Sequence, residues 1–479
     1  MRSTSLTASL TKGLSLPLLA YVCMRIWAAL AINLHATMSP GTDVAALVPL
    51  ALGMWMLGRL AVDATGVLLS SKIRSVSCRM TLSCASLGLL ELGTLLITSS
   101  ANGWIGGIGL LIAGGFLCGL GTEVIALLWL EAISHESFAV ARKLILLDMG
   151  TEAALAPLCL APLGLNLIIC LALPLLSVMG LRRILELKGS VLSNRSCATY
   201  QLSLKTVLPV GVGVALLFFG SHFLQNGLNG SVIDDLIGTD ASLWSAIIGR
   251  WVALAALVPL MRFADEMRFE CLFATTALLA ILGFLALPLS VAPGSFFFFR
   301  TLTIAACFLV GKAVNLVVVS VASRSNVQPL KLLAAGNLVI YLGHTSSILA
   351  STSATAVLQG IDPSSWLYPV TAGSILLLAI SGMWLLRDRT INAFLWQHSP
   401  SGKAKAPHAD LAQFVTDRGL TEREAQVLEL LVSGRSIPFI AQALLLSQAT
   451  IKSHTLHIYQ KCDVHNRQDL ISLVQNEPI

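Results

Sequence analysis

The chain has 479 residues, of which 55% are hydrophobic and only 12% are charged, and its formal net charge is +6. Soluble domains carry about 25% charged residues, so this composition excludes an ordinary soluble protein and indicates a membrane protein with room for more than one domain. The positive excess lies wholly before Lys403, because the rest of the chain carries eight basic and eight acidic residues. We therefore expect membrane topology signals in the first part rather than a basic nucleic-acid patch in the last.

Twelve apolar runs follow one another along the first 386 residues, each near the roughly 20 residues that a membrane-spanning helix needs. The predicted spans are 14–34, 44–62, 80–98, 104–130, 143–161, 164–181, 206–224, 242–261, 271–290, 296–321, 332–358 and 366–386. The first run contains Arg25 and is too long for the core of a signal peptide, so we predict that it is retained as a span. The sequence thus predicts an all-α, polytopic membrane domain over 1–386.

Basic residues in the loops between these spans indicate the topology. If the N-terminus is cytoplasmic, the inner loops hold Lys72, Arg74, Arg79, Arg142, Lys143, Arg182, Arg183, Lys188, Arg195, Lys205, Arg262, Arg268, Arg324 and Lys331. The outer loops, at 35–43, 99–103, 162–163, 225–241, 291–295 and 359–365, contain neither Lys nor Arg. Because cytoplasmic loops collect Lys and Arg, we predict a multi-pass protein of the cell (inner) membrane with both termini in the cytoplasm.

The longest predicted inner loop, 182–205, falls after the sixth span. This six-plus-six layout resembles the major facilitator superfamily, which carries a G-x-x-x-D-R/K-x-G motif between spans two and three. In this chain Asp63 and Gly66 keep the spacing of that motif, Gly58 lies one residue too far away, and Ala64 replaces the basic residue. The resemblance implies a transporter-like helical bundle, and a twelve-span bundle of another kind is the alternative.

Charged residues also lie inside the predicted spans, away from their ends. These are Arg25, Glu91, Glu123, Glu152, Arg250 and Lys312, with Asp148 nearer the inner face. Charged groups at membrane depth are costly and face a partner or a watery cavity. Two interpretations stay open: a site for an unknown small polar or charged ligand between the halves of the bundle, or interhelical ion pairs such as Arg25 with Glu91 or Glu152.

The composition changes at residues 387–409, which lose hydrophobicity and are predicted to form a cytoplasmic linker. A small helical domain is expected over 410–479. Thr421 and Glu424 form a capping box, which predicts a helix starting at Glu422. This domain carries six basic and eight acidic residues, so we expect a monomer to bind DNA weakly.

Two further helices are predicted to be joined by a tight turn. Ser436 is expected to cap the first, and Ser447 the second, which runs to about Lys461. Asn466 is expected to cap a short final helix. Two helices in this arrangement form a helix-turn-helix, whose second helix enters the major groove of DNA.

This segment resembles the LuxR (NarL/GerE) type of helix-turn-helix. The matching residues are Leu420, Thr421, Arg423, Glu424, Val427, Leu428, Ile440, Ala441, Leu444, Ser447, Thr450, Ile451, Lys452, His454, Ile458, Lys461 and Val464, while Cys462 replaces the usual Leu. The resemblance implies binding to double-stranded promoter DNA through residues Ser447, Thr450, Lys452, Ser453, His454, Leu456 and Lys461. Among these, Lys452, Ser453 and Leu456 would face the bases, and Ser447, Thr450 and Lys461 would contact phosphates. The resemblance also implies a homodimer formed through the helix near 467–474.

Three classes of function follow from these patterns. The first is a membrane-embedded one-component transcription regulator, whose membrane domain senses a small molecule or membrane signal. The second is a major-facilitator-like transporter with a regulatory DNA-binding tail. An enzyme is not expected, because the sequence contains neither a phosphate-binding loop nor a GxSxG motif, and His35, His135, His222 and His344 are far apart in sequence. The scattered cysteines include no CxxC, so we predict no metal site and no cofactor.

Overall fold

The computed structural model describes the chain in two compact units, Met1–Trp396 and Gln397–Ile479. The described residues are 20–27, 48–73, 75–135, 138–160, 163–194, 204–227, 239–262, 269–286, 293–324, 328–358, 363–386, 414–432, 437, 440–441, 444, 446–464 and 466–476. Within these ranges all regular structure is helical, which confirms the all-α prediction. The predicted linker, 387–409, lies outside the described residues.

The described part of the first unit contains one helical segment for each predicted span. They are α1 (described over 20–27), α2 (Val48–Leu69), α3 (Val76–Ala101), α4 (Ile108–Ser134), α5 (Phe138–Leu155), α6 (Leu163–Asn194), α7 (Leu204–Gly227), α8 (Thr239–Arg262), α9 (Phe269–Ala286), α10 (Pro293–Arg324), α11 (Pro329–Leu358) and α12 (Pro363–Leu386). Seven helices in this set are long and apolar enough to cross a membrane, and α7, α8 and α9 contain shorter apolar stretches.

The helices of the first unit form two halves, α1–α6 and α7–α12. In the first half α4 packs against α2 and α3, and α3 also packs against α6. In the second half α10 packs against α8 and α9, and α7 packs against α11 and α12. The halves meet where α2 packs against α11 and α5 packs against α8. This is the six-plus-six arrangement that the sequence predicts.

Glycines bring α2 and α4 into backbone contact. A Cβ atom at Gly119 would lie 2.1 Å from the carbonyl oxygen of Trp55, and one at Gly58 would lie 2.4 Å from that of Phe116. Lipid tails are as apolar as the side chains between membrane helices, so close van der Waals packing through small residues holds such helices together. Gly58, the misplaced first glycine of the motif stretch, therefore serves helix packing.

Helix α6 is longer than predicted. The expected inner loop, 182–205, is wrong over its first part, because α6 continues to Asn194. The reason is an amphipathic turn that the span count overlooked: Leu181, Ile184 and Leu185 are buried at helical spacing while the adjacent arginines are exposed.

The end of α2 and the start of α3 also differ from the prediction. The motif stretch at 58–66 lies inside α2 rather than in a loop, and Asp63 within it is fully buried. Ser75 caps α3 by accepting a hydrogen bond from the backbone N–H of Cys78, so that helix starts before the predicted span. Arg79, expected in an inner loop, is therefore a buried helical residue that forms a two-point ion pair with Glu131, at 2.8 and 3.0 Å.

The second unit contains α13 (Glu422–Val432), α14 (Gln448–Cys462) and α15 (Arg467–Asn476). Its core includes buried Val427, Leu428, Ile451, Ile458 and Leu470. Residues 437 and 440–441 are helical and belong to the predicted helix between α13 and α14, whose expected cap Ser436 lies outside the described residues.

The helix starts of the second unit agree with the sequence. In the capping box, the N–H of Thr421 donates to Glu424 Oε2 at 2.8 Å, and the N–H of Glu424 donates to Thr421 Oγ at 3.3 Å. Ser447 caps α14, and Asn466 caps α15 by accepting from the N–H of Asp469 at 2.9 Å. The predicted beginnings of α13, α14 and α15 are therefore confirmed.

Candidate functional site

Helix α14 has two distinct faces. Ile451, Thr455, Ile458 and Cys462 are buried in the domain core, at the spacing of one helical face. Lys452, Ser453 and Leu456 are exposed on the rest of the helix, and 56% of Leu456 is accessible. An exposed leucine next to a lysine and a serine can contact DNA bases: the lysine and serine can hydrogen-bond to base edges in a major groove, and the leucine can pack against a thymine methyl group.

The first turn of α14 carries the remaining hydroxyls of the predicted DNA face. The Ser447 hydroxyl accepts from the N–H of Thr450 at 3.0 Å and lies 2.7 Å from the Thr450 hydroxyl. Both groups thus hold the helix start in shape, and Ser447 is exposed. His454 is half-buried beside them, whereas His457 is exposed.

Lys461, expected at a phosphate, has two contacts within the domain. Its Nζ donates to Glu424 Oε2 at 2.7 Å and to the carbonyl oxygen of Gly419 at 2.9 Å. These bonds join the end of α14 to the start of α13. The sequence analysis missed this role, and the capping-box position of Glu424 is the signal that points to it.

Glu424 is held as a carboxylate. Burial by itself raises the pKa of Glu424, but hydrogen bonds from Lys461 and Thr421 outweigh it and lower the pKa to about 2. The imidazole of His457 lies further off, with Nδ1 3.9 Å from Oε1. The resulting ion pair fixes α14 relative to α13.

Helix α15 covers residues 467–474, the segment through which the resemblance to LuxR-type domains predicts a homodimer. Leu470 is fully buried in the core of its own domain, and Leu473 and Val474 are half-buried against it. Arg467 donates two hydrogen bonds to the carbonyl oxygen of Leu431, at 2.8 and 3.2 Å. Leu470, Leu473 and Val474 thus pack in the core of their own domain.

The first unit contains a cavity of about 300 Å³ that is lined by both halves of the bundle. Its walls come from α1, α2, α4 and α5 in the first half and from α7, α8, α10 and α11 in the second. Four of the predicted ligand residues line it: Arg25, Glu152, Arg250 and Lys312. A cavity between helices of a bundle, apolar with a few converging polar groups, is typical of small-molecule sites.

An ion network on one side of the cavity connects the halves. Lys312 on α10 donates to Asp148 at 2.5 Å and to Glu152 at 2.9 Å, both on α5. The Nε atom of Arg25 lies 3.4 Å from the same Asp148. The partner of Arg25 in this geometry is therefore Asp148, and the suggested pair with Glu91 is wrong.

Glu123 lies behind the cavity wall rather than on it. It accepts from Arg59 at 2.7 Å and from the side-chain amide of Asn337 at 2.7 Å, and both donors line the cavity. The guanidinium of Arg59 also sits 4.3 Å from the centre of the Tyr341 ring. Glu91, on α3, does not line this cavity.

The cavity contains further residues that the sequence analysis missed. His222 and His344, from different helices, have ring centres only 4.1 Å apart, and the sulfur of Cys307 lies 3.4 Å from His222 Nδ1. The sequence did not indicate this contact because the three residues lie far apart in it. The sequence analysis did not single out Arg59 or Arg300, which lie three and four residues from the nearer ends of the predicted spans 44–62 and 296–321. Across the described residues, no three His, Cys, Asp or Glu side chains are grouped as a metal site requires.

Comparisons with known proteins agree with both units. Residues 418–474 match the family "Bacterial regulatory proteins, luxR family". The C-terminal segment is 41% identical over 69 residues to the HTH-type transcriptional regulator MalT of Vibrio campbellii, which is 14% of this chain and 8% of that protein. The second unit thus carries a LuxR-family DNA-binding domain, while the chain spans only a small share of that relative.

The first unit has the fold of a solved transporter. The crystal structure of the human organic anion transporter MFSD10 (TETRAN) superposes with a TM-score of 0.55 at 11% identity, covering 77% of this chain and 98% of that one. This likeness confirms the predicted transporter-like helical bundle for the membrane part, as a likeness of fold. The family that matches the second unit is described as one of regulatory proteins rather than of enzymes.

Proposed function

We propose that this protein is a membrane-embedded, one-component transcription regulator. The proposal is carried by one observation: a single chain joins a LuxR-family DNA-binding domain to a transporter-like bundle with a charged cavity. The bundle, 1–386, binds a small molecule or registers another membrane signal. The domain at 410–479 binds promoter DNA, and 387–409 links the two. We place the protein in the cell membrane with both termini in the cytoplasm, on the basis of the charged loops.

In this proposal α14 enters the major groove. Lys452, Ser453 and Leu456 face the bases, while Ser447, Thr450 and His454 lie at the edge of the contact. Lys461 contributes mainly by holding α14 in place, because its ammonium group already binds Glu424 and Gly419. We retain the homodimer through α15 as part of the proposal, and its contacts use the half-buried rim of that helix rather than Leu470.

Control of DNA binding requires that the ligand bind one state of the bundle better than another. The ion network of Lys312, Asp148 and Glu152 is suited to this task because it crosses between the halves beside the cavity. A ligand that changes this network changes how the halves pack, and the bundle passes this change to the attached DNA-binding domain.

The proposal is tested by genome-wide DNA occupancy of the full-length protein in its native cell. We expect discrete promoter peaks that disappear in a Thr450→Ala, Lys452→Ala double variant, present in the membrane at the same level. Exposed Gln460, on the last turn of α14, provides the control substitution Gln460→Ala. Peaks that are equal in the double variant and the wild type would contradict sequence-specific binding by α14.

A second candidate is a working transporter whose C-terminal domain regulates transcription. It is favoured by the cavity, since groups from both halves line it as alternating access requires. Uptake measured in vesicles that contain the purified protein separates the two. Substrate accumulation above that of empty vesicles supports transport, and binding without accumulation supports a sensor.

A further inference from the structure

We infer that the ligand of the cavity is a small planar ring with an amide-type edge. Its flat face stacks on the rings of the cavity wall, and its edge hydrogen-bonds to the side-chain amide of Asn315. This inference rests on the proposed function only in taking the cavity as the ligand site. It adds the chemical class of the ligand, which follows from the shape and the uncharged polar groups of the wall.

A first column of flat side chains lines the cavity. Phe218 and His222 of α7 stack with their ring centres 5.5 Å apart and their planes only 9° from parallel. The ring of His222 in turn lies 4.1 Å from the ring of His344, centre to centre. Because His344 belongs to α11, this column of rings joins two helices of the second half.

A second column of flat groups lies beside the first. The guanidinium of Arg59 lies 4.3 Å from the centre of the Tyr341 ring and 5.4 Å from that of the Trp55 ring, and all three residues line the cavity. Tyr341 and His344 are three residues apart on α11, which puts them on the same face of that helix. The two columns therefore meet on α11 and form a wall of flat groups.

A planar ring fits such a wall better than a puckered one. Aromatic rings prefer offset-stacked or edge-to-face contacts with their centres about 4.5–7 Å apart, and guanidinium groups stack on aromatic faces. A saturated ring of the same size carries hydrogens above and below its mean plane, which prevent stacking over its whole face. The cavity volume of about 300 Å³ is at the lower end of the range for small-molecule sites and favours one or two fused rings.

Asn315, on α10, provides the hydrogen-bonding group for the edge of the ring. It lines the cavity, and within the described part of the chain neither its side-chain amide nor the hydroxyl of Tyr341 has a hydrogen-bond partner. A primary amide offers donors and an acceptor side by side, so its complement is an edge with an N–H next to a C=O. Asparagine pairs in the same two-point way with the edge of adenine.

Three basic residues of the cavity wall have their counter-ions within the bundle. Arg25 and Lys312 both pair with Asp148, and Arg59 pairs with Glu123. A charged ligand is therefore not needed to balance these three groups. The uncharged amide and hydroxyl of the wall instead select by hydrogen bonding, because a polar group that is left unpaired in a buried site weakens binding of an analogue that lacks the matching group.

The experiment uses the purified full-length protein in lipid nanodiscs, with thermal unfolding followed as probes are added. Two pairs of probes differ in planarity: benzamide with cyclohexanecarboxamide, and uracil with dihydrouracil. Carbostyril and N-methylcarbostyril differ in the N–H of the edge, while benzoate and benzylamine replace the amide of benzamide by a charge. A ligand that binds only the folded state raises the unfolding midpoint as its concentration increases. We expect at least one planar amide to do so, and its saturated, N-methylated or charged counterpart to have far less effect.

Variants then locate the ring and its edge. Phe218→Leu should weaken the apparent affinity for the planar probe roughly ten-fold, because a stacking contact is lost. Phe219→Leu is the matched control, since Phe219 lies on the same helix and stacks with Phe223 rather than lining the cavity. Tyr341→Leu should weaken binding more than Tyr341→Phe, which keeps the ring. Asn315→Leu should weaken binding of carbostyril roughly ten-fold and leave that of N-methylcarbostyril unchanged.

The unfolding midpoint of each variant without ligand shows whether it folds. The inference is overturned if a saturated probe binds as well as its planar partner, if benzoate or benzylamine binds better than benzamide, or if no planar probe binds up to its solubility limit. It is also overturned if binding of the planar probe is unchanged in folded Phe218→Leu and Asn315→Leu variants.

Failure of this inference is distinguishable from failure of the proposed function. Promoter occupancy without binding of a planar probe rejects the ligand class alone. Binding of a planar probe without promoter occupancy rejects the regulator and keeps the ligand class.

Discussion

Glu424 shows how one side chain can organise the DNA-binding domain. Its carboxylate closes the capping box of α13 and binds Lys461 at the end of α14. Helix α14 is thereby held against the rest of the domain by an ion pair in which 6% of the Glu424 side chain and 36% of the Lys461 side chain are exposed.

Replacing Glu424 should make the stability of this domain less dependent on pH. Because hydrogen bonding lowers its pKa to about 2 in the folded state, while an unfolded Glu titrates near about 4.3, the carboxylate stabilises the fold above pH 4.3. That contribution is lost as the pH falls toward 2. We expect Glu424→Gln to lower the free energy of unfolding by roughly 1–3 kcal/mol at pH 7, and the difference from wild type to vanish near pH 2.

The measurement is denaturant unfolding of the C-terminal fragment 397–479, which has its own hydrophobic core. Exposed Asp417 provides the control substitution Asp417→Asn. A difference between wild type and Glu424→Gln that stays constant across this pH range would show that the effect does not come from the charge.

Lys452 should contribute directly to DNA affinity. The side chain is exposed on α14, outside the buried face that includes Ile451 and Thr455. We expect Lys452→Ala to weaken binding to promoter fragments by roughly 1–3 kcal/mol, the size of a good base contact. The control is Gln460→Ala. Titrations at several salt concentrations separate the two roles. Loss of a phosphate contact reduces the salt dependence of binding to all sequences, whereas loss of a base contact relaxes the preference for the promoter.

At the scale of elements, the contact between α2 and α4 depends on glycine. We expect Gly119→Ala to destabilise the bundle by roughly 1–3 kcal/mol, typical of overpacking, because the added methyl group would lie 2.1 Å from the carbonyl oxygen of Trp55. Gly109→Ala on the same helix meets nothing within 4 Å. Thermal unfolding in detergent compares the two variants. Equal unfolding midpoints would show that α2 and α4 accommodate the added methyl group without loss of stability, which would contradict the prediction.

Element positions were predictable where hydrophobicity alone decides them. All twelve spans have a described helical segment at the expected place, and the caps at Thr421, Ser447 and Asn466 start their helices as predicted. A count of apolar residues does not detect the part of a helix that extends beyond the apolar layer of the membrane. The amphipathic end of α6 beyond residue 181 is polar on one face, so a count of apolar residues read it as a loop.

The candidate sites were predictable to different degrees. A contiguous motif was enough to predict an exposed surface on α14, the proposed DNA face, because its residues share one helix. The cavity draws its charges from many helices, so the sequence indicated buried charges but not their partners. The pair of His222 and His344, 122 positions apart, and the bridge from Lys312 to Asp148 follow from the packing of the two halves.

At the scale of the whole molecule, one chain contains both the charged cavity and the LuxR-family domain. The ion network of Lys312, Asp148 and Glu152 is one of the described links between the halves beside the cavity. Replacing one of these residues by a neutral one leaves the remaining charges buried without their counter-ion. This destabilises the packing of the two halves seen here and should favour other conformations of the bundle. Since the DNA-binding domain is attached to that bundle, its DNA occupancy should respond.

The most direct test is promoter occupancy of the full-length protein in cells that carry Lys312→Gln or Glu152→Gln, with Lys331→Gln as control and equal amounts in the membrane. The account predicts that both network variants change occupancy at the wild-type promoters several-fold, while the control does not. Unchanged occupancy in both variants, together with complete loss in the Thr450→Ala, Lys452→Ala variant, would contradict it. The bundle would then anchor the DNA-binding domain without controlling it.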